Sequence, residues 1–300
     1  MKNLNDITII VPLAPGSDIT DIEEIKRQKI KCIPIVGTNP SANRNLGIKA
    51  ADTEYIAFIN GHTNITSNWV EEVHSFFKNH PEIDIVGGPQ LTSQDEDSFG
   101  RASGIALSSA FGAANANTRY TQGSLNLNAN ETMLTSANLI CRKRVFQKVK
   151  FDETLYPGED PKFISDAIKE RFKVAYSPDI IVYNKRRNNI LSFIKQIFSY
   201  GIARPKKETL IDTLKSSPLF LVPPSFVIYL LFFPLLFWIT SLSIWPIYLY
   251  LALNISFSYY EAMHNRNLFL FLHLPILFLI IHLGYGFGFI IGTIKRWLNK

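Results

Sequence analysis

The chain has 300 residues, enough for one large domain or for one domain with an accessory region, since single cores stop growing at roughly 250–300 residues. Its 31 Lys and Arg against 25 Asp and Glu give a net charge of +6, yet the basic residues form no RNA-binding motif, so nucleic acid is not an expected partner. Two cysteines, Cys32 and Cys141, lie far apart without metal-ligand spacing and imply neither a disulfide framework nor a zinc site.

The start of the chain does not read as a secretory signal. Asn3, Asn5 and Asp6 precede a short apolar run that ends in Pro12, which suits a first strand and a domain that stays in the cytoplasm. Ile7–Leu13 is rich in β-branched residues and closes at Pro15-Gly16; from Asp18 the isoleucines take helical spacing. A strand is expected at Ile33–Val36, a helix at Ala42–Ala51, and a strand at Glu54–Ile59 that stops at Asn60-Gly61-His62. Trp69–Asn79 is amphipathic, and Ile83–Val86 is a further strand ending in Gly87-Gly88-Pro89. Strands alternating with helices predict an α/β fold with a largely parallel sheet. Ligands of such sheets bind at the carboxyl ends of the strands, which brings the segments after Leu13, Val36 and Ile59 to one crevice.

Residues 90–130 are rich in Ser, Ala, Asn and Gly and read as a mobile lid or acceptor loop. Order is expected again at Met133–Ile140. Gly158-Glu159-Asp160-Pro161 opens a helix to about Arg171, with Asp160 suited to be its N-cap ahead of a proline at the first helical position. A strand pair follows around Val174–Tyr176 and Ile180–Tyr183. Residues 189–202 predict an aromatic, weakly basic helix in a membrane interface.

Beyond Ser216 the composition changes: only Arg266, Lys295, Arg296, Lys300 and Glu261 carry charge. The runs 216–260 and 267–294 hold no Asp, Glu, Lys or Arg. At ~1.5 Å per residue against ~30 Å of hydrocarbon, the first run can supply two crossings, turning at residues 240–243, and the second one. This divides the chain into a domain of residues 1–205, an interfacial helix and linker at 188–215, and a membrane domain of two or three helices at 216–300. Lys185, Arg186, Arg187, Lys195, Arg204, Lys206, Lys207 and Lys215 precede the first apolar run, a position that favours anionic headgroups or a lipid phosphate; an ordinary positive-inside flank is the alternative. Three crossings would set Lys295, Arg296 and Lys300 outside, against the positive-inside tendency; a re-entrant start at Pro218, Pro223 and Pro224 would leave two.

Ser41-Ala-Asn-Arg-Asn-Leu-Gly-Ile followed by Glu54-Tyr-Ile-Ala-Phe-Ile-Asn-Gly-His resembles the "ARN-x-G … eyiaflDxD" run of family 2 glycosyltransferases with the GT-A fold. Trp69, Gly87-Gly88-Pro89, and Phe151-Asp152-Glu153 ahead of Glu159-Asp160 agree in order and spacing with that family's pattern. Ser108-Ser-Ala-Phe-Gly, Gln196-Ile-Phe-Ser-Tyr-Gly and His282-Leu-Gly-Tyr-Gly-Phe-Gly-Phe look like the succinoglycan-type branch, whose members end in membrane helices.

The resemblance implies an inverting transfer from a nucleoside diphosphate sugar. The acceptor hydroxyl then needs a carboxylate base and the leaving diphosphate needs positive charge. Asp160 matches the second residue of the family's ED motif and is the implied base, with Glu159 orienting the acceptor or a basic side chain. Arg44 and Asn45 resemble the pair beside the diphosphate. Pro12, Thr38, Asn39 and Asn60 are implied on the nucleotide side, Thr38 and Asn39 in place of a missing Asp-rich segment. Arg187, Gln196 and Tyr200 match a segment that faces a lipid-linked acceptor. At the metal position Asn60-Gly61-His62 replaces DxD or DAH, and Asn184 stands where many GT-A enzymes carry histidine. His62 with Asn60 could hold manganese or magnesium beside the diphosphate, cations such as Arg44 and Arg187 could replace the metal, or catalysis could have been lost.

The expected function is transfer of a sugar to a polyprenyl-linked saccharide in polysaccharide or glycan assembly. The expected setting is a multi-pass protein of the cell membrane with its catalytic domain facing the cytoplasm. Transfer to bare polyprenyl phosphate, and a catalytically silent membrane-bound partner of another transferase, are the alternatives.

Overall fold

The computed structural model describes residues 6–19 and 22–298; Lys300, and positions 20 and 21 of the first expected helix, lie outside them. Its contacts group the chain into two compact units, Met1–Gln94 with Thr118–Lys185, and Asp95–Asn117 with Arg186–Lys300.

The first unit is built on a sheet of six strands in the order β2-β1-β3-β7-β5-β8. These are β1 Ile7–Leu13, β2 Lys31–Val36, β3 Tyr55–Ile59, β5 Ile85–Gly87, β7 Asn138–Arg142 and β8 Val174–Tyr176. β7 alone runs antiparallel to its neighbours β3 and β5; the pairs β1–β2, β1–β3 and β5–β8 are parallel. β4 Thr63–Ile65, β6 Gln90–Thr92 and β9 Val182–Asn184 form a second, three-stranded sheet in the order β4-β9-β6. The expected pair of late strands is therefore not a pair, because β8 joins the large sheet and β9 the small one.

Successive side chains of a strand point to opposite faces, and both faces of the large sheet are covered. Ile7, Ile9, Val11, Ala57 and Ile59 enter one core with Trp69, Val73 and Phe77, whereas Ile10, Ile56, Phe58, Leu139 and Cys141 enter another with Phe151 and Phe163. Burial on two sides is why these strands are continuous apolar runs rather than alternating ones. Each fully buried Ile or Phe contributes roughly 1.5–3 kcal/mol.

Four helices belong to this unit: α1 Ile22–Arg27, α2 Pro40–Ala50, α3 Trp69–Asn79 and α6 Glu159–Lys169. Asn39 caps α2, its side-chain oxygen accepting from the N–H groups of Ser41 and Ala42, with Pro40 at the first helical position, the arrangement those residue types favour. α6 begins two residues earlier than its sequence signals imply. Gly158, at φ 111°, is the cap, so Asp160 is not an N-cap and Pro161 stands in the third position.

The second unit is helical. The stretch expected as an irregular lid instead contains α4 Ser98–Ser108 and α5 Ala110–Ala113, α4 being capped by Asp97, which accepts from Gly100 N–H at 2.7 Å. The other helices are α7 Ile190–Lys207, α8 Leu210–Ser216, α9 Val222–Ile239, α10 Trp245–His264 and α11 Leu270–Leu298. α7 runs through Pro205 to Lys207, past its expected end. Two segments, Pro218–Ile239 and Leu270–Leu298, are long and apolar enough to cross a membrane.

Glycines set how closely these helices approach. A methyl group on Gly201 would stand 2.8 Å from the Phe289 nitrogen, and one on Gly292 2.7 Å from the Ile202 oxygen. α7 and α11 thus touch backbone to backbone along Gly201, Gly288 and Gly292, the close approach that small residues permit between apolar helices.

Candidate active site

The parallel register brings the carboxyl ends of β1, β2 and β3 to one edge. Leu13 lies opposite Val36, and Ile59 opposite Asn138 at the start of antiparallel β7. Asn43, which sequence patterns did not single out, ties this edge together: its amide nitrogen donates to Leu13 O at 3.3 Å and Gly37 O at 3.1 Å. Nothing in its spacing distinguishes it from a solvated helix residue; burial at 4 % exposure does.

Arg44, one residue on, is also 4 % exposed. Its Nη1 donates to Glu159 Oε1 at 3.0 Å and lies 3.6 Å from Asp160 Oδ1, and its guanidinium carbon stands 5.2 Å from the Phe151 ring centroid. Sequence positions 115 apart thereby become one buried cation between two carboxylates. Glu159 is 5 % exposed. Burial, reinforced by the neighbouring Asp160 charge and opposed by Arg44, pushes its carboxyl up to about 7. Asp160 is more open, with a side chain 20 % exposed. Its Oδ2 accepts from Ser136 N–H at 3.2 Å, ahead of β7, while Oδ1 is without a hydrogen-bond partner. Ser136 is the second residue that sequence reasoning missed, since a backbone donor leaves no signature of residue type.

Asn45 faces inward and holds the segment that leads to α6. Its amide nitrogen donates to Phe151 O at 2.9 Å and Glu153 Oε1 at 2.8 Å, and its oxygen accepts from Phe151 N–H at 3.1 Å. Asn39 donates to Glu153 O at 2.8 Å in addition to capping α2. Pro12 lies in β1 opposite Ile35, and Thr38 is exposed between β2 and α2.

At the position expected to hold a metal, Asn60 is half-buried and His62 exposed, in the turn closed by Thr63 N–H on Asn60 O at 3.1 Å. Asn184 is committed elsewhere: its oxygen accepts from Thr63 Oγ1 at 3.1 Å and its nitrogen donates to Gln90 Oε1 at 2.9 Å. A magnesium or manganese site draws on hard oxygen ligands and normally at least one carboxylate. Asn60 and His62 supply none, and the described residues contain no group of three or more His, Cys, Asp or Glu placed to hold a metal. The side chains at this position do not fit a protein-held divalent cation.

Arg187, Gln196 and Tyr200 belong to the second unit. Arg187 is exposed, and Gln196 Nε2 donates to Tyr200 Oη at 2.8 Å across one turn of α7.

Residues 18–150 match the family described as Glycosyl transferase family 2. A pre-mycofactocin glycosyltransferase of Mycobacterium tuberculosis is 25% identical over 163 residues, 54% of this chain and 33% of the relative, so the chain spans about a third of the length of the curated relatives it matches. Among solved structures, S. aureus TarS 1-349 in complex with UDP-GlcNAc aligns over 68% of this chain and 67% of that one at 13% identity and a TM-score of 0.43. A197 from STIV aligns over 61% and 95% at 12% identity and a TM-score of 0.38. With β7 as the lone antiparallel strand of its six-stranded sheet, the first unit has an α/β GT-A-like fold, within which residues 18–150 match the glycosyltransferase family 2 model.

Proposed function

We propose that the chain is an inverting glycosyltransferase that moves a sugar from a nucleoside diphosphate donor to a polyprenyl-linked saccharide at the cytoplasmic side of a cell membrane. Asp160 carries the reading. Its Oδ1 has no hydrogen-bond partner, while Ser136 N–H and the Arg44 guanidinium hold the rest of the carboxylate at the carboxyl edge of the sheet. In the transfer, the acceptor hydroxyl loses its proton to Asp160, its oxygen forms the new bond to the anomeric carbon, and the nucleoside diphosphate leaves from the opposite face with the bonding pair. One base suffices for inversion. Arg44 sits between the two acids, 3.6 Å from Asp160 Oδ1, and Glu159 holds Arg44 in place.

The membrane part rests on exposure. α9 presents Leu231 at 62 %, Trp238 at 84 % and Ile239 at 67 % exposure, an apolar surface that water does not tolerate at this extent. Arg187 and the Gln196–Tyr200 pair are assigned to the acceptor, and residues 1–205 to the cytoplasm ahead of a membrane domain at 216–300. Pro12, Thr38, Asn39 and Asn60 are assigned to the nucleotide side, where cationic side chains rather than a protein-held metal meet the diphosphate.

Asp160→Asn tests the assignment, because asparagine still accepts from Ser136 N–H but takes no proton. Transfer is expected to fall by roughly 10²–10⁴-fold with an unchanged melting temperature; full transfer by the folded variant removes Asp160 as the base. In the same assay a chelator is expected to leave transfer within about twofold, since no carboxylate stands at the metal position; a loss restored by manganese reverses that part of the reading.

A further inference from the structure

The small sheet of the first unit carries a line of buried amides that the proposed reaction does not use. Asn184 of β9 stands between Thr63 of β4 and Gln90 of β6. Thr63 Oγ1 donates to the Asn184 oxygen at 3.1 Å, and the Asn184 nitrogen donates to Gln90 Oε1 at 2.9 Å. Gln90 Nε2 donates in turn to Thr135 Oγ1 at 3.2 Å, an oxygen that also accepts from Ala137 N–H at 3.2 Å. Ser136 lies between those two residues, and its N–H donates to Asp160 Oδ2 at 3.2 Å. Two side-chain amides therefore lead from the strand after the Asn60 turn to the carboxylate assigned as the base.

The same turn is fastened at its far end. Asn138 N–H donates to Thr135 O at 3.2 Å. The Asn138 side chain donates to Pro89 O at 3.3 Å and to Ile180 O at 2.6 Å, just ahead of β6 and β9, and accepts from Trp69 Nε1 at 3.2 Å. Thr63, Gln90, Asn138 and Asn184 are all buried. Apolar side chains would fill this space without the cost of desolvating amides, so what the network adds is a single fixed arrangement. That matters at Ser136 because the group it presents is a backbone N–H. No rotamer can aim such a donor; the position of the turn does.

We propose that Gln90 and Asn184 are positioning residues for Asp160, aiming Ser136 N–H at its carboxylate through Thr135. This rests on the assignment of Asp160 as the base in the proposed function. The Ser136 contact occupies Oδ2 and leaves Oδ1, which has no hydrogen-bond partner, for the acceptor proton. Both amides act through the turn ahead of β7 rather than on the substrate.

Deuterium exchange of the Ser136 amide is followed in the full-length protein in detergent, by mass spectrometry with fragmentation to single residues. Gln90→Leu and Asn184→Leu are expected to speed it at least ~10-fold, the worth of one buried hydrogen bond, and by more than they speed the amides of β1 and β3. Thr135→Val, at a half-buried position, is expected to do the same, and Thr135→Ser, which keeps the oxygen, to leave the rate unchanged. Wild-type exchange at Ser136 in Thr135→Val overturns the proposal. An equal rise at Ser136, β1 and β3 in Gln90→Leu overturns it too, marking Gln90 as a core residue and nothing more. Release of nucleoside diphosphate from a panel of UDP-, GDP- and dTDP-sugars is the second measurement. Gln90→Leu is expected to lower kcat about 10-fold with the donor KM within about twofold, and to cost nothing further in the Asp160→Asn background. A fall that repeats in that background overturns the route through Asp160. Full turnover by Asp160→Asn, or none by the wild type, counts against the proposed reaction alone, and the exchange rates then decide whether Gln90 aims Ser136.

Discussion

Glu159 holds a proton more tightly in the folded protein than a free glutamate would. Its carboxyl is raised from 4.5 to about 7 by burial first and by Asp160 second. Between those values the folded chain binds more protons than the unfolded one, so this group stabilises the fold most below about pH 4.5 and loses that contribution as the pH rises through about 7. At ~1.4 kcal/mol per unit the loss is of order 3 kcal/mol across the window. The melting temperature of the wild type should fall between about pH 5 and pH 8, and Glu159→Gln, with no proton to lose, should flatten that fall. An equal fall in the variant would assign the slope to another group. The acids themselves were legible as an ED pair before a proline. Their partner was not: Arg44 reads in sequence as a diphosphate ligand or a solvated helix residue, and only the fold, by bringing α2 against the start of α6, shows its guanidinium spanning Glu159 and Asp160. Asn184 is the converse case. Its departure from histidine was plain in the sequence, whereas its bonds to Thr63 and Gln90 depend on a small sheet that no local pattern announces.

At the level of elements, the strands buried on both faces were readable because period-independent apolar runs have few other uses, and Trp69–Asn79 was readable from its amphipathic spacing alone. Short strands were legible only in part: β5, β8 and β9 fall where strands were expected, but β4 and β6 were not foreseen, nor was the sheet that β8 and β9 each join. β6, β8 and β9 have three residues each, too few for a period, and which sheet each joins is decided by register across the molecule. The C-terminal helices are set by a feature composition hides, the pairing of Gly201 with Gly288 and Gly292. Gly288→Leu would drive a side chain into the backbone of Phe198 and Gly201, so α7 and α11 must separate or bend. Overpacking of this kind costs about 1–3 kcal/mol, and the full-length variant is expected to melt several degrees lower in detergent. An unchanged melting temperature would show that the two helices can part without cost. α5 is held against the same helix. Phe111 stacks on Phe257 at 4.9 Å between ring centroids, and its carbonyl lies 2.8 Å from His282 Nε2, whose Nδ1 is 3.0 Å from Tyr250 Oη. These contacts place Asp95–Asn117 with the helical unit, although its composition resembles a surface loop.

For the whole molecule, the break in charge at Ser216 marks where apolar sequence begins, and the direction in which the helices run bears on how many times they cross. Arg296 near the end of α11 donates to the backbone oxygens of Pro205 and Glu208, which precede α9. In the proposed membrane setting, chain positions that touch would lie on the same side of the bilayer, so the path from Glu208 to Arg296 would cross an even number of times. Among the described residues Pro218–Ile239 and Leu270–Leu298 are long and apolar enough to cross, and under the proposed membrane reading they would provide two crossings. α10 between them is the helix left over, and its buried Asn254 donates to Pro275 O at 3.1 Å. Two crossings would also put Lys295 and Arg296 on the side of the basic residues that precede α9, as the positive-inside tendency favours. Lys215 and Lys295, each replaced by cysteine in a chain with Cys32 and Cys141 changed to serine, should react with an impermeant thiol reagent from the same face of sealed vesicles. Labelling from opposite faces would require α10 to cross as well, and would separate Arg296 from the carbonyls it touches.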